Sequence, residues 1–177
     1  MQYTIWQKYR ESLNVPAYLH PWILHEGSFM KHLKQKGILD ARVQLLNQSW
    51  QFPLTDEKQY TGIPNRTYAL VREVLILSED QKWMVARTIV PRQTLTGKQR
   101  QLAGLKNRAL GSVLFKEPAI SRSEFEMTYL PIKNSYHALL KAAGFQDHRL
   151  WARRSLFYWQ NKPLLLIEIF LPDMKLL

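Results

Sequence analysis

Residues 68–90 of the chain read YALVREVLILSEDQKWMVARTIV. Both halves are rich in Val, Ile, Leu and aromatic residues, which favour β-strands, and the polar segment 78–81 between them is typical of a turn. The pattern predicts a hairpin. Strands joined by a short turn run antiparallel.

A second hairpin is expected at the end of the chain, with strands over 149–159 and 164–171 and a turn at 160–163. Other segments favour helices within the first forty residues, two short helices in 94–115, a helix over 135–143, and strands over 41–50 and 125–130. Together they predict an α+β fold built on a single antiparallel β-sheet with helices on one side or end.

Length and composition narrow the class of protein. The 177 residues contain no repeat, low-complexity segment or Gly/Ser linker, so we expect a single domain over 1–177. The absence of cysteine excludes disulfides and thiolate metal sites, and the five histidines lack the spacing of metal ligands. No signal peptide and no apolar run of membrane-spanning length is evident, so we expect a cytoplasmic protein without stable membrane insertion.

The formal net charge of +11 is large for this length. It is compatible with a nucleic acid, an anionic membrane surface or an anionic small molecule as a partner, and also with a basic surface that only contacts solvent. The basic residues are spread along the sequence rather than clustered, so charge alone does not decide among these.

Two sets of charged residues lie in apolar strands. Glu168 is the one carboxylate in the run 163–172, and an unpaired ion there would cost on the order of several kcal/mol. Arg72 and Arg87 lie in the two strands of the first hairpin, and a turn centred on residues 79–80 predicts that they face each other directly. Two facing guanidiniums become favourable when an anion or a carboxylate such as Glu168 lies between them. The alternative is that each arginine pairs with a structural acid such as Glu73, which is adjacent to Arg72 in sequence although its side chain is expected on the other face.

The second hairpin offers Glu168 a structural alternative. A turn at 160–163 predicts Ser155 opposite Glu168 and Arg153 diagonal to it on the same face. Arg153 is therefore the leading candidate for a structural salt bridge, and this interpretation competes with a ligand site shared with Arg72 and Arg87.

An ordered set of motifs resembles the chorismate lyase family. They are VREVLI (71–76), ARTIVP (86–91), Leu110-Gly111 with Leu114-Phe115, WARRS (151–155) and KPLLLIEIFLP (162–172), and the segment 22–37 is similar to the N-terminal helix of the family. The resemblance covers most of the chain.

The resemblance implies a sheet whose two helical flaps cover an internal ligand site. It implies conversion of chorismate to 4-hydroxybenzoate and pyruvate, the first step of ubiquinone synthesis, without metal or organic cofactor. It places the ligand-binding arginine at Arg72, the acidic residue at Glu168, a second active-site arginine at Arg87, and main-chain contacts at Phe29 and Leu110. We further expect a monomer that binds chorismate and 4-hydroxybenzoate and no nucleic acid.

Within that resemblance, Glu168 is expected to contact the ring hydroxyl of the substrate, either as a general base with a raised pKa or as a positioning group for internal proton transfer. Arg87 is expected to stabilise charge on the departing enolpyruvate. The alternative function is a non-catalytic ligand-sensing domain, since effector domains of GntR-type repressors have this fold. Those domains follow a DNA-binding domain, and we expect none here because the motifs of the resemblance start within about twenty residues of Met1.

Overall fold

The computed structural model describes residues 4–79 and 81–177. Their β-strands form one sheet in the order β1-β6-β7-β8-β4-β3-β2, with β5 pairing to β7, and all pairings are antiparallel. The strands are β1 (Gln7–Lys8), β2 (Arg42–Gln51), β3 (Ala69–Ser78), β4 (Gln81–Pro91), β5 (Ile120–Arg122), β6 (Glu126–Leu130), β7 (Leu150–Trp159) and β8 (Lys162–Phe170).

Helices cover both faces of this sheet. They are α1 (His20–Ile23), α2 (Phe29–Gln35), α3 (Thr55–Thr61), α4 (Gly111–Leu114) and α5 (His137–Ala143), with 3₁₀ turns at 11–13, 17–19, 92–94, 97–104 and 172–176. Helices α3 and α5 pack on one face, whereas α1, α2, α4 and the 3₁₀ segment 97–104 pack on the other. The predicted α+β class with one antiparallel sheet is confirmed.

The first hairpin forms where predicted, but its register differs over most of its length. Leu77 pairs with Lys82, whereas Ile76 pairs with Met84, so Trp83 is an extra residue on β4. Such a bulge shifts the pairing by one residue, and in a β-strand a one-residue shift moves a side chain to the opposite face. The predicted opposition of Arg72 and Arg87 is therefore wrong: Arg72 pairs with Thr88 and Arg87 with Glu73.

The second hairpin turns more tightly than predicted. Gln160 and Asn161 both have positive φ (52° and 63°), as in the two-residue turns that suit antiparallel strands, and β8 already begins at Lys162. The register therefore pairs Arg153, rather than Ser155, with Glu168, and Ser155 faces Leu166. We call the face that carries Arg72, Arg153 and Glu168 the site face.

Candidate active site

Glu168 lies at the centre of the site face, in a cluster of guanidiniums. Its side chain is 5% exposed. Arg153 donates from Nε to Oε2 (2.6 Å) and from Nη2 to Oε1 (3.0 Å), and Arg122 donates from Nη2 to Oε2 (3.3 Å). Arg153 also donates from Nη1 to the carbonyls of Trp22, Ile23 and His25 in the segment around α1. The predicted pairing of Glu168 with Arg153 is confirmed.

This environment holds Glu168 ionised. Burial alone would raise the pKa of its carboxyl, but the charges of Arg153 and then Arg122, and the hydrogen bonds that they donate, outweigh burial, and the pKa is lowered. The expectation of a raised pKa is wrong because it considered only the apolar neighbours on β8. A carboxylate that binds a proton so weakly is poorly suited to act as a general base near neutral pH.

Arg122 is a site residue that sequence reasoning missed. It lies on the short strand β5 and faces Phe157 of β7. Besides Glu168, its guanidinium donates to Ser155 Oγ (2.8 Å) and to the carbonyl of Glu26 (2.8 Å), and burial lowers its pKa to about 10. A three-residue strand gives little hydrophobic pattern, and the rings on which this guanidinium packs belong to Phe125, outside the strand, and to Phe157 on β7.

Arg72 occupies the other end of the site and pairs with no carboxylate among the described residues. Its Nη2 donates to the carbonyls of Lys106 (2.9 Å) and Arg108 (2.8 Å), while its buried Nε has no hydrogen-bond partner. Burial lowers its pKa to about 10. A buried guanidinium with a free donor and no counter-ion is a ready partner for an anionic ligand.

Arg87 is not part of this cluster, because it points to the opposite face of the sheet. Its Nε and Nη2 donate to Glu57 (2.7 and 3.1 Å) and its Nη1 donates to Glu73 (2.6 Å). Burial lowers its pKa, but the two carboxylates outweigh burial and raise it. The expectation that Arg87 lies beside Arg72 is wrong, because Arg87 forms a buried ion pair with Glu57 of α3.

A narrow cavity of about 60 Å³ lies over the site face. Its floor is apolar apart from Arg72, Thr88 and Glu168, with Val74 and Ala86 between the charged ends. Two covering segments close it, one around the start of α2 and one around the start of α4. The expected contact residues Phe29 and Leu110 both line the cavity, each from one of these segments. We call residues 25–30 the first flap and 105–115 the second flap.

The charges around the cavity do not balance. Three guanidiniums lie around the cavity, those of Arg72, Arg122 and Arg153. Glu168 is the one carboxylate of this cluster, so the cluster has a net charge of two positive charges. His25 does not add to them near neutral pH, because burial, followed by the charges of His32 and Arg153, lowers its pKa. Such an apolar cavity with surplus charge suits a small, doubly anionic ligand.

Comparison with known proteins now decides the family. A sequence model described as chorismate lyase matches residues 1–176. The chain belongs to the chorismate lyase family. Relatives named probable chorismate pyruvate-lyase include one from Methylococcus capsulatus, 34% identical over 87% of this chain and 94% of the relative, and one from Nitrosomonas europaea, 34% identical over 92% of each.

Solved structures agree on the fold of this chorismate lyase family member. PhnF from Mycobacterium smegmatis superposes with a TM-score of 0.61 at 14% identity, covering 85% of this chain and 66% of that one. The C-terminal domain of the histidine utilization repressor from Pseudomonas syringae gives 0.57 at 7% identity, covering 76% and 93%. At such identities the likeness concerns the fold alone.

Two further findings concern metals and membranes. Within residues 4–79 and 81–177, no group of three His, Asp or Glu side chains is arranged to hold a metal ion. In the same ranges, no helix has the length and apolar character needed to cross a membrane. Cofactor independence stays a prediction.

Proposed function

We propose that this protein is a cofactor-independent chorismate pyruvate-lyase that forms 4-hydroxybenzoate and pyruvate for ubiquinone synthesis in the cytoplasm. The observation that carries the proposal is the surplus of two positive charges around a closed apolar cavity in a member of the chorismate lyase family. Chorismate is a dianion with an apolar ring, and it matches both properties.

The spacing of the strands supports a ring bound between Arg72 and Glu168. The register places Arg72 two strands and two residues away from Glu168. With strands about 4.8 Å apart and a rise of about 3.4 Å per residue, the Cα atoms are about 12 Å apart. Both side chains line the cavity, and the span between them matches a six-membered ring with polar groups at opposite ends, above Val74 and Ala86, once the two flaps move apart to admit it. Arg72 binds the ring carboxylate, and Glu168 accepts a hydrogen bond from the ring hydroxyl.

In this proposal Glu168 positions the substrate and does not remove the ring proton. The ring carbon that bears the hydroxyl loses its proton, the bond between the neighbouring carbon and the ether oxygen breaks, and the ring becomes aromatic. The enolpyruvate that leaves takes up a proton and becomes pyruvate. Since Glu168 is held ionised by two guanidiniums, internal proton transfer within the substrate fits the site better than general-base catalysis by this carboxylate.

The side-chain carboxylate of chorismate is assigned to Arg122. Arg122 lines the cavity and also lines an adjoining groove of about 770 Å³, together with Phe115 and Phe157. It is therefore at the boundary across which the enolpyruvyl group extends. Arg122 takes the role that sequence reasoning gave to Arg87, which points away from the cavity.

The direct test is turnover of chorismate by the purified protein in the presence of a metal chelator, followed by the ultraviolet absorbance of 4-hydroxybenzoate. We expect turnover in the wild type and a loss of kcat/KM of at least a hundredfold in Arg72→Met and Arg122→Met. A folded wild-type sample that binds 4-hydroxybenzoate without turning chorismate over would instead support the sensing alternative.

A further inference from the structure

One end of the sheet combines exposed aromatic rings with a run of basic residues. Trp50, Phe52 and Tyr68 are 49%, 52% and 51% exposed. Trp50 and Tyr68 line one open groove with Arg66 and Arg92, and the ring of Phe52 stacks on that of Tyr68 at 4.0 Å. Three half-exposed aromatics in one place are more than the scattered apolar residues of an ordinary surface.

The basic residues continue from this groove along the 3₁₀ segment 97–104. Residues 81–116 contain eight Lys and Arg and no Asp or Glu. Lys98 and Arg100 are exposed, and Gln48 on the edge strand β2 donates to the carbonyl of Ala103 (2.7 Å), so this segment lies directly against β2, two residues from Trp50. We call Trp50, Phe52, Arg66, Tyr68, Arg92, Lys98 and Arg100 the aromatic-basic edge.

The two acidic residues of α3, which follow Phe52 closely in sequence, do not neutralise this edge. Asp56 accepts hydrogen bonds from Trp6 (3.1 Å) and Arg154 (3.4 Å), and Glu57 is fully buried against Arg87. Both carboxylates belong to α3 on the opposite face of the sheet. The positive charge of the edge is therefore available to an external anion.

We propose that the aromatic-basic edge docks the protein on the surface of an anionic lipid bilayer. Trp and Tyr with neighbouring Arg and Lys are the residues that membrane interfaces accommodate, with the rings at the level of the headgroups and the cations at the lipid phosphates. A nucleic acid fits less well, because the stacking of Phe52 on Tyr68 leaves only one face of each ring for a base. The docking is peripheral and does not depend on the lyase activity.

Sedimentation with vesicles tests the proposal. The full-length protein is mixed with vesicles of phosphatidylcholine alone or of phosphatidylcholine and phosphatidylglycerol in equal parts. We expect binding to the anionic vesicles alone, weakened by salt because surface charges are screened. Neutralising Arg92 and Arg100 in turn, as Arg92→Gln and Arg100→Gln, is expected to weaken binding about fivefold each.

Trp50→Thr and Tyr68→Thr test the aromatic contribution. Threonine suits an extended backbone, both at position 50 within β2 and at position 68 directly before β3. A matched control, Ile132→Ser with Lys133→Gln, removes one exposed apolar residue and one exposed cation from the loop after β6. We expect the control to bind as the wild type does, and all variants to keep the thermal unfolding midpoint within a few degrees.

Three results would overturn the proposal. The first is a wild type that does not sediment with anionic vesicles at low salt. The second is vesicle binding that the edge variants and the control reduce equally. The third is tight binding of single-stranded RNA without vesicle binding, which would assign the edge to nucleic acid instead.

Discussion

Replacing Glu168 by Gln should cost this protein more stability than any other single change in the site. The side chain keeps its size, so packing is nearly unchanged, but the negative charge is lost. Two guanidiniums then lose their shared counter-ion. These are the fully buried Arg153 and the largely buried Arg122. Glu168 accepts three guanidinium hydrogen bonds, and a neutral amide oxygen can accept only part of that set.

The size of the effect follows from the burial of the partners. Removing one member of a buried ion pair typically costs about 3–5 kcal/mol, because the remaining charge is uncompensated. For a chain of this length, about 1 kcal/mol shifts the unfolding midpoint by about 2–4 °C, so a fall of about 6–20 °C is expected. Glu57→Gln is the matched comparison on the opposite face. Arg87 would keep its bond to Glu73, so a smaller loss is expected.

Urea unfolding of the wild type, Glu168→Gln and Glu57→Gln measures these differences at pH 7. The folded-state pKa of Glu168 is lowered, so its stabilising contribution is present above the unfolded pKa and is lost as the pH falls through the folded value. The gap between wild type and Glu168→Gln should therefore narrow below about pH 4. A Glu168→Gln protein within about 1 kcal/mol of the wild type at pH 7 would refute the buried-ion argument.

Four further outcomes are expected. Arg72→Met should lower kcat/KM at least a hundredfold and cost about 1–3 kcal/mol in urea unfolding, because the variant loses the hydrogen bonds to the carbonyls of Lys106 and Arg108 but leaves no buried carboxylate without a cation; a loss of stability larger than that of Arg87→Met would contradict this. Arg87→Met should instead lose about 3–5 kcal/mol by leaving Glu57 buried and unpaired, while the kcat/KM of the folded protein changes little. The pH profile of kcat/KM should show no acidic limb between about pH 5 and 8, since the pKa of Glu168 is lowered. An acidic limb near neutral pH that disappears in Glu168→Gln would instead show that Glu168 acts as a general base. Gly111→Ala should weaken 4-hydroxybenzoate binding several-fold in a titration, because the new Cβ lies 3.0 Å from both Ser28 Oγ and Phe115 Cδ2 and these two cavity-lining side chains must shift, whereas Gly104→Ala, whose Cβ meets no atom within 4 Å, should not.

The strands of both hairpins could be predicted from the sequence, because each strand is a long apolar run and each turn is polar. The sequence also placed Glu168 in a buried strand and gave Arg153, in a diagonal position, as the leading candidate for a structural partner. The register could not be obtained in the same way. One bulged residue, Trp83, decides whether Arg87 faces the cavity, and nothing in the local composition distinguishes a bulge at that position from regular pairing.

Short elements were missed for a related reason. Strand β5 has only three residues and helix α3 consists mostly of polar residues, so neither shows an apolar period, yet they supply Glu57 to Arg87 and Arg122 to Glu168. Each contact joins residues at least 30 positions apart in the chain. Such pairs depend on how the sheet is assembled, so the lowered pKa of Glu168 could not be foreseen from its neighbours in sequence.

The two faces of the sheet show that the surplus charge of the cavity is specific to that site and is not a general consequence of a basic chain. On the opposite face, Arg87 is shared by Glu57 and Glu73, and Arg154 binds Glu126 and Asp56, so each buried guanidinium meets two carboxylates. On the site face, Arg122 and Arg153 share the single carboxylate of Glu168, and Arg72 contacts backbone carbonyls only among the described residues. A buried guanidinium without a carboxylate is an uncompensated charge that costs free energy, and the site face carries this cost whereas the opposite face does not. An anionic ligand that brings its own carboxylates offsets this cost, so binding of a dianion should stabilise the folded protein more than binding of a monoanion of similar shape.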